Sequence, residues 1–341
     1  MSQHGSGGSG RRGPGNPEWV PRSVGALSAP PVNRALWMVV GVAAISASPI
    51  LIRVAAMPAL ALAFWRCLAG AAVLAPFASR GRVGGLARAD LARLAAAGVC
   101  LAAHFALWNA SLGLTTVGAA TTLVSMAPLF VGLGSVFLGE APGPRGWAGI
   151  VLATAGAVVI GVGDAAGLGG GSDAVLGDVL AFAGALAVAA YLLLGRVVRQ
   201  RLPVSTYAAS VYGVAAVVLL PACLLTGSSL GGYQAASWLA LAGVVVGPQL
   251  LGHTVFNGLL ATVSASVVAV ALLLEPVIAT LLAWWLFHEL PGPAFWVGGP
   301  MVLAGVWLAT TGSRRMSPAA GTATSKASRD AGNHPRRQPV G

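Results

Sequence analysis

A glutamate stands in Leu272-Leu273-Leu274-Glu275-Pro276, halfway along an otherwise apolar run. Insertion scales charge an ionised acid roughly 2.5–3.5 kcal/mol at the centre of a membrane helix, so an acid kept there implies use. Such a carboxyl could take up and release a proton as a solute passes. The plainer reading is a protonated acid that hydrogen-bonds a neighbouring helix. Arg66, in Phe64-Trp65-Arg66-Cys67, is the second ionisable group well inside an apolar segment. It could hold an anionic group of a solute, pair with Glu275, or extend to the lipid headgroups. Arg53, nearer the end of its segment, reads as a headgroup anchor. His104 and His253 are either interhelical hydrogen-bond donors or members of a proton relay. Asn109 and Asn257 are amides suited to bonding between helices, with solute contact as the alternative. Trp108 and Tyr191, with Trp65, Tyr212 and Gln249, could line a cavity or belong to interfacial aromatic belts. Pro128 and Pro276 each remove a backbone donor from an apolar helix and are expected to kink it.

No metal site is expected, because the five histidines show no pairing at ligand spacing. Nor is there a Walker loop, a His-Glu-x-x-His pair or a Gly-x-Ser-x-Gly elbow, so no cofactor and no catalytic residue is expected. The chemistry on offer is binding and proton exchange.

The elements that must position these groups are membrane helices. The 341 residues are 56% hydrophobic and 9% charged, with a mean hydropathy of +0.80, far from the composition of a soluble domain. The net charge of +11 is spread between apolar runs instead of gathered on one face, which argues against a nucleic-acid partner. Cys67, Cys100 and Cys223 fall in three different apolar segments and read as small core residues. Ten apolar segments are expected, at about 36–55, 60–79, 91–112, 115–138, 146–163, 178–198, 203–225, 237–258, 262–287 and 294–312. Most are long enough, at ~1.5 Å per residue, to cross a hydrocarbon layer of ~30 Å. Residues 1–34 and 313–341 are polar, basic and expected to be disordered tails, and the first lacks the apolar core of a signal peptide. The Gly-rich stretch 164–177, with Asp164 and Asp173, is expected to link two halves, 35–163 and 178–312.

Those halves repeat one another. Asn109 and Pro128 map onto Asn257 and Pro276 at a shift of 148 residues. Pro142, Gly143, Pro144, Trp147, Gly149 and Gly156 map onto Pro291, Gly292, Pro293, Trp296, Gly298 and Gly305 at a shift of 149. Five crossings per half is an odd number, so the second copy must lie upside down relative to the first. Inverted repeats of this kind place a binding site near the midplane between the halves and rock around it. Glu275 has Ala127 as its counterpart, so the acid belongs to the second half alone. Eighteen of the twenty Lys and Arg fall in the two tails and in loops on their side, leaving Arg53 and Arg66. That bias puts both termini in the cytoplasm.

Together, these residues resemble the EamA-type members of the drug/metabolite transporter superfamily. The likeness is carried by Ala63-Phe64-Trp65-Arg66, by the run from Ala119 to Pro128, by Gly139-Glu140 and the helix that follows, and by Gly177-Asp178 leading to Tyr191 and Gly195-Arg196. Glu275-Pro276 and Glu289 complete it. The resemblance implies ten helices in two inverted five-helix domains around a central cavity, and secondary transport of small metabolites, often efflux of amino acids or related compounds. The expected reading is an all-α, multi-pass inner-membrane exporter working by alternating access. Its partners would be a small-molecule metabolite, membrane lipids and, as a candidate coupling ion, protons. A non-transporting scaffold or receptor would leave Glu275 without a purpose. A lipid-modifying membrane enzyme would need polar residues gathered at one interface, which these short loops do not supply.

Overall fold

The computed structural model describes residues 31–111, 113–115, 117–165, 173–288 and 290–312. Nine helices among the described residues are long and apolar enough to cross a membrane. They are α1 (Arg34–Ile52), α2 (Ala59–Phe77), α3 (Arg88–Ser111), α5 (Pro144–Val162), α6 (Ala174–Arg199), α7 (Val204–Leu225), α8 (Ala235–Leu259), α9 (Ala265–Leu286) and α10 (Pro293–Thr311). A shorter apolar helix, α4 (Thr122–Phe137), falls between α3 and α5. No strand occurs among the described residues. The protein is an all-α membrane protein.

Each expected apolar segment coincides with one of these helices, and the boundaries shift where the chain changes character. Helical backbone begins at Pro31, inside the stretch expected to be tail. The fifth helix runs on to Ala165, and the sixth starts at Ala174. Asp164 and Asp178 are therefore helical residues, and the stretch between the halves is shorter than the expected 164–177. Asp178 has a structural partner, since it accepts a hydrogen bond from Thr115 Oγ1 at 2.8 Å. Residues 1–30 and 313–341 and the middle of the Gly-rich stretch lie outside the described residues.

Four of the helices are interrupted, each at a proline. In α4 the break falls at Ser125 and Met126, ahead of Pro128, and in α9 it falls at Leu273, ahead of Pro276. α1 breaks at Ala47, ahead of Pro49. α8 is α-helical to Val244 and widens into a π-helix from Val245 to His253 around Pro248. A proline lacks the N–H of the ladder and its ring pushes on the carbonyl one turn back, which weakens the helix there; Pro221 and Pro300 sit in unbroken helices, so packing decides where the weakness becomes a break. The pair Pro128 and Pro276, shared by both copies, announces two of the breaks. Pro49 and Pro248 have no proline counterpart in the other copy, and their breaks were not expected. Backbone released at membrane depth is tolerated only where protein or a cavity receives it.

Packing follows the small residues. α5 and α10 cross closely, and glycines line the contact. A Cβ on Gly149 would come within 2.4 Å of Ala309 N, and one on Gly156 within 2.7 Å of Gly298 O. From the other side, a Cβ on Gly298 would lie 2.4 Å from Gly156 O, and one on Gly305 2.4 Å from Ala153 N. Advancing along α5 from 149 to 156 therefore moves backwards along α10, so the two helices are antiparallel. Their Pro-Gly-Pro starts stand at opposite ends of the bundle. Every glycine in this contact has its repeat counterpart in the same contact, which is what a two-fold relation between the helices produces. Around this pair, α3 packs on α6, α2 on α7 and α1 on α8.

Candidate functional site

Arg66 is carried by α2 into the middle of the bundle and is 2% exposed. Its Nε donates to Gln249 Oε1 on α8 at 2.8 Å. The guanidinium lies over the Phe105 ring of α3, with Cζ 4.3 Å from the ring centroid. A planar cation on an aromatic face is an arrangement that arginine, and not lysine, can hold together with a directed side-chain hydrogen bond. One turn along α2, Gly70 lets α7 and α8 close in: a Cβ there would meet Gln249 Cγ at 3.1 Å and the Tyr212 ring at 3.2 Å.

The π-helical stretch explains how Gln249 reaches Arg66. Its carbonyl accepts the Thr254 N–H five residues on, which is the widened ladder itself. The same carbonyl also takes the hydroxyls of Thr254 at 3.1 Å and Tyr212 at 3.4 Å. With its main chain fixed, the Gln249 side chain is committed to the bundle interior. π-segments recur where a helix must aim a side chain that an α-helix would misplace.

Two histidines lie on the helices that Arg66 touches, α3 and α8, and Glu275 lies on α9. Glu275 stands immediately after the break in α9, half-buried, and makes no hydrogen bond or ion pair among the described residues. His253 meets Phe105 edge-on, with ring centroids 5.5 Å apart, and His104 tilts against the same ring, with centroids 5.4 Å apart. His104 Nδ1 lies 3.0 Å from the Gly184 carbonyl of α6, and because a carbonyl only accepts, this ring nitrogen carries the proton. Trp108 stacks on His104 with planes 3° apart and centroids 6.2 Å apart. Its indole N–H is buried and has no partner among the described residues.

A second polar chain runs from this cluster towards one end of the bundle. The Tyr191 hydroxyl donates to Asn257 Oδ1, and Asn257 Nδ2 donates to the Tyr212 hydroxyl at 3.4 Å. Arg199, buried at the end of α6, donates to the carbonyls of Asn257 and Leu202. One turn earlier, Arg196 grips both oxygens of Glu140, with contacts of 2.6–2.9 Å, and donates to the Leu260 carbonyl at 2.7 Å. Buried Asp90 pairs with Arg93 at 2.7 Å and with Arg201. The ends of α4, α6 and α8 and the start of α3 are thus tied by arginine forks.

Residues 33–162 and 175–311 match, in two successive stretches, the EamA-like transporter family. The chain belongs to the EamA-like transporter family. Like the rest of that family, it is a multi-pass membrane transporter. Among curated proteins it is 28% identical over 254 residues to an uncharacterized transporter of Archaeoglobus fulgidus (strain ATCC 49558), a match that covers 73% of this chain and 86% of that one. Among solved structures, one crystal structure has a TM-score of 0.70 at 22% identity and covers 84% of this chain and 99% of that one. At that identity the likeness concerns the fold.

In this chain Arg66, His104 and His253 meet around the Phe105 ring and Trp108 stacks on His104, which makes one charged and aromatic neighbourhood; Glu275 makes no hydrogen bond or ion pair to it among the described residues. Tyr191 and Asn257 join it through Tyr212. Asn109 stands apart, its Nδ2 donating to the Ala59 carbonyl at 3.2 Å and tying the end of α3 to the start of α2. Trp65 likewise braces a loop, with its indole donating to the Leu230 carbonyl at 3.0 Å. Glu140, one of the residues that carry the family resemblance, holds Arg196, while Glu289 lies outside the described residues. Sequence reasoning gave Gln249 little weight, counted Arg196 and Arg199 only as loop charges, and passed over Asp90. An amide directly after a proline in an apolar run was the one signal for Gln249. Nothing in the spacing marked Arg199 or Asp90 as buried.

Proposed function

We propose that this EamA-family protein is a secondary transporter of the cytoplasmic membrane, exporting small polar metabolites such as amino acids or related compounds by alternating access. Glu275 is the group that exchanges protons, and both termini lie in the cytoplasm. The observation that carries the reading is the pair Arg66 and Glu275. They are ionisable groups of opposite sign within membrane-spanning helices, one from each half of the chain, and they make no direct ion pair among the described residues. Opposite charges held apart leave room for a polar solute, and a structural ion pair would have closed. The antiparallel crossing of α5 and α10 supports the arrangement of two inverted five-helix halves, and the four broken helices are the kind that form midplane sites in transporters.

Reconstituted vesicles under an imposed pH gradient test the coupling. Flux through the unaltered protein is expected to rise or fall with the gradient. Flux through Glu275→Gln is expected to ignore it, with turnover at least tenfold lower. A variant that keeps the gradient response would remove Glu275 from proton exchange.

A further inference from the structure

Six of the helices fall into two groups of three. α3 and α4 pack on α6, and α8 and α9 pack on α1. Each member of one group stands five helices along the chain from a member of the other, so the repeat exchanges the groups. Beyond the Phe105–His253 ring contact, they meet at one end of the bundle, where α1 starts and α10 finishes. The second piece of α4 (Ala127–Phe137) packs there on the first piece of α9 (Ala265–Leu272), and the last turns of α8 pack on α6. The Ser135 and Ser266 hydroxyls join α4 to α9 at 2.9 Å. Towards the other end, the first piece of α4 and the second piece of α9 are not closely packed together among the described residues. The side-chain hydrogen bonds of Trp65, Asn109 and Thr115 at that end either stay within a group or involve α2.

We infer that Arg199, helped by Arg196, is a latch that holds the first end shut and must release for the groups to rock. The inference rests on the alternating-access reading. Arg199 is buried at the end of α6, and its Nε donates to the Asn257 carbonyl in the last turn of α8 at 2.7 Å. Arg196, one turn earlier, donates from Nη1 to the Leu260 carbonyl at 2.7 Å, while Glu140 holds the rest of its fork. The last carbonyls of a helix have no partner within it and carry the negative end of its dipole, so cations from the opposing group suit them. Glu140 keeps Arg196 with its own group. Arg199 has no carboxylate partner among the described residues, and the carbonyls of Asn257 and Leu202 alone meet its charge. A buried guanidinium of this kind regains hydration when the end opens, which offsets the bonds it gives up. Such a latch can both hold and release. The repeat supplies no equivalent at the other end, because a shift of 148 residues turns Arg196 and Arg199 into Ser48 and Leu51. The latch is one-sided, and without solute the protein rests with this end closed.

Spin labels on the full-length protein in lipid nanodiscs, with its native cysteines changed to alanine, read both ends without any solute. Gln200→Cys and Thr262→Cys put labels on exposed positions of the two groups at the latched end, and Val54→Cys and Val175→Cys do so at the other. With the latch intact, the first pair is expected to show predominantly one short distance. Arg199→Gln is expected to raise the population of a longer distance there at least tenfold, and to shorten the second pair in the same molecules. Arg199→Lys, which keeps a cation able to reach one carbonyl, is expected to recover part of the closed population. An arginine with only a structural role would lower the thermal midpoint without that reciprocal change. Unchanged distances, or lengthening at both ends, overturn the latch. If Arg199→Gln does not fold, Arg196→Gln is read in the same way, with an expected rise of at least threefold, and unchanged distances again overturn the latch. A disulfide between Ser135→Cys and Ser266→Cys is expected to staple the end shut and cut efflux of the twenty proteinogenic amino acids, loaded together into vesicles, at least tenfold until it is reduced. Undiminished efflux through the stapled protein overturns the latch. No efflux through the unaltered protein counts against the transporter reading for these solutes, and the distances still decide the latch.

Discussion

Arg66→Met is expected to reduce transport at least a hundredfold while leaving the thermal unfolding midpoint unchanged or higher. The substitution removes a charge-assisted hydrogen bond, worth about 1.5–3 kcal/mol, and a desolvated cation–π contact, worth about 2 kcal/mol. It also removes the penalty of keeping a guanidinium away from water, which is several kcal/mol for a buried ion. Gains and losses in stability are thus of one size, and methionine fills most of the space. Function has no such compensation, because the cation at the centre of the interior cluster is gone. Arg66→Lys is expected to recover little, since an ammonium cannot both lie flat on Phe105 and direct a bond at Gln249 Oε1. Flux into reconstituted vesicles together with a thermal scan of the same preparations reads both quantities. A variant that loses stability and transport in proportion would mark Arg66 as a packing residue.

The opposite pattern is expected at the α5–α10 crossing. Gly149→Leu and Gly156→Leu are expected to yield little folded protein, because each new side chain meets backbone: Ala309 N at 2.4 Å from the Cβ position of residue 149, and Gly298 O at 2.7 Å from that of residue 156. Backbone atoms of a packed helix cannot turn aside as a side-chain tip can. Even Gly149→Ala is expected to cost on the order of 1–3 kcal/mol, the range for overpacking a close contact. Gly213→Ala is the control. It lies inside a helix with nothing within 4 Å of its Cβ position, so the usual preference of helices for alanine should leave stability level or up by roughly 0.5–1 kcal/mol. Midpoints that fall equally for Gly149→Ala and Gly213→Ala would show that helix propensity, and not the crossing, sets the effect.

How much of this could be read from the chain itself differs between backbone and side chains. Hydropathy located the helices, because a segment that meets lipid has no other way to satisfy its peptide groups. The prolines at 128 and 276 located two breaks, since a missing N–H acts locally. Glu275 and Arg66 stood out because a charge at membrane depth has a cost that composition alone reveals. What spacing does not encode is which helices become neighbours. Gln249 looked like one amide among several until α8 was seen beside α2, and the π-helical widening that turns it inward is a response to Pro248 and to packing together. Arg196 and Glu140 are 56 residues apart, and Arg201 and Asp90 are 111 apart. Pairings at that range follow from topology and leave no periodic trace. The matched amides differ in partner: Asn257 belongs to the polar chain below the site, whereas Asn109 ties two helix ends, the bonding between helices expected of it. Duplication conserved the amide and not its task.

Two halves lying head to tail are the foundation of every role assigned to the interior, and the loops before the two Pro-Gly-Pro turns report on it directly. Ala141→Cys and Leu290→Cys occupy equivalent exposed positions, one before each turn. Labelling with a membrane-impermeant maleimide, on intact cells and on inverted vesicles, is expected to reach residue 141 only from the cytoplasmic side and residue 290 only from the outside. Labelling of both from the same side would contradict the inverted arrangement.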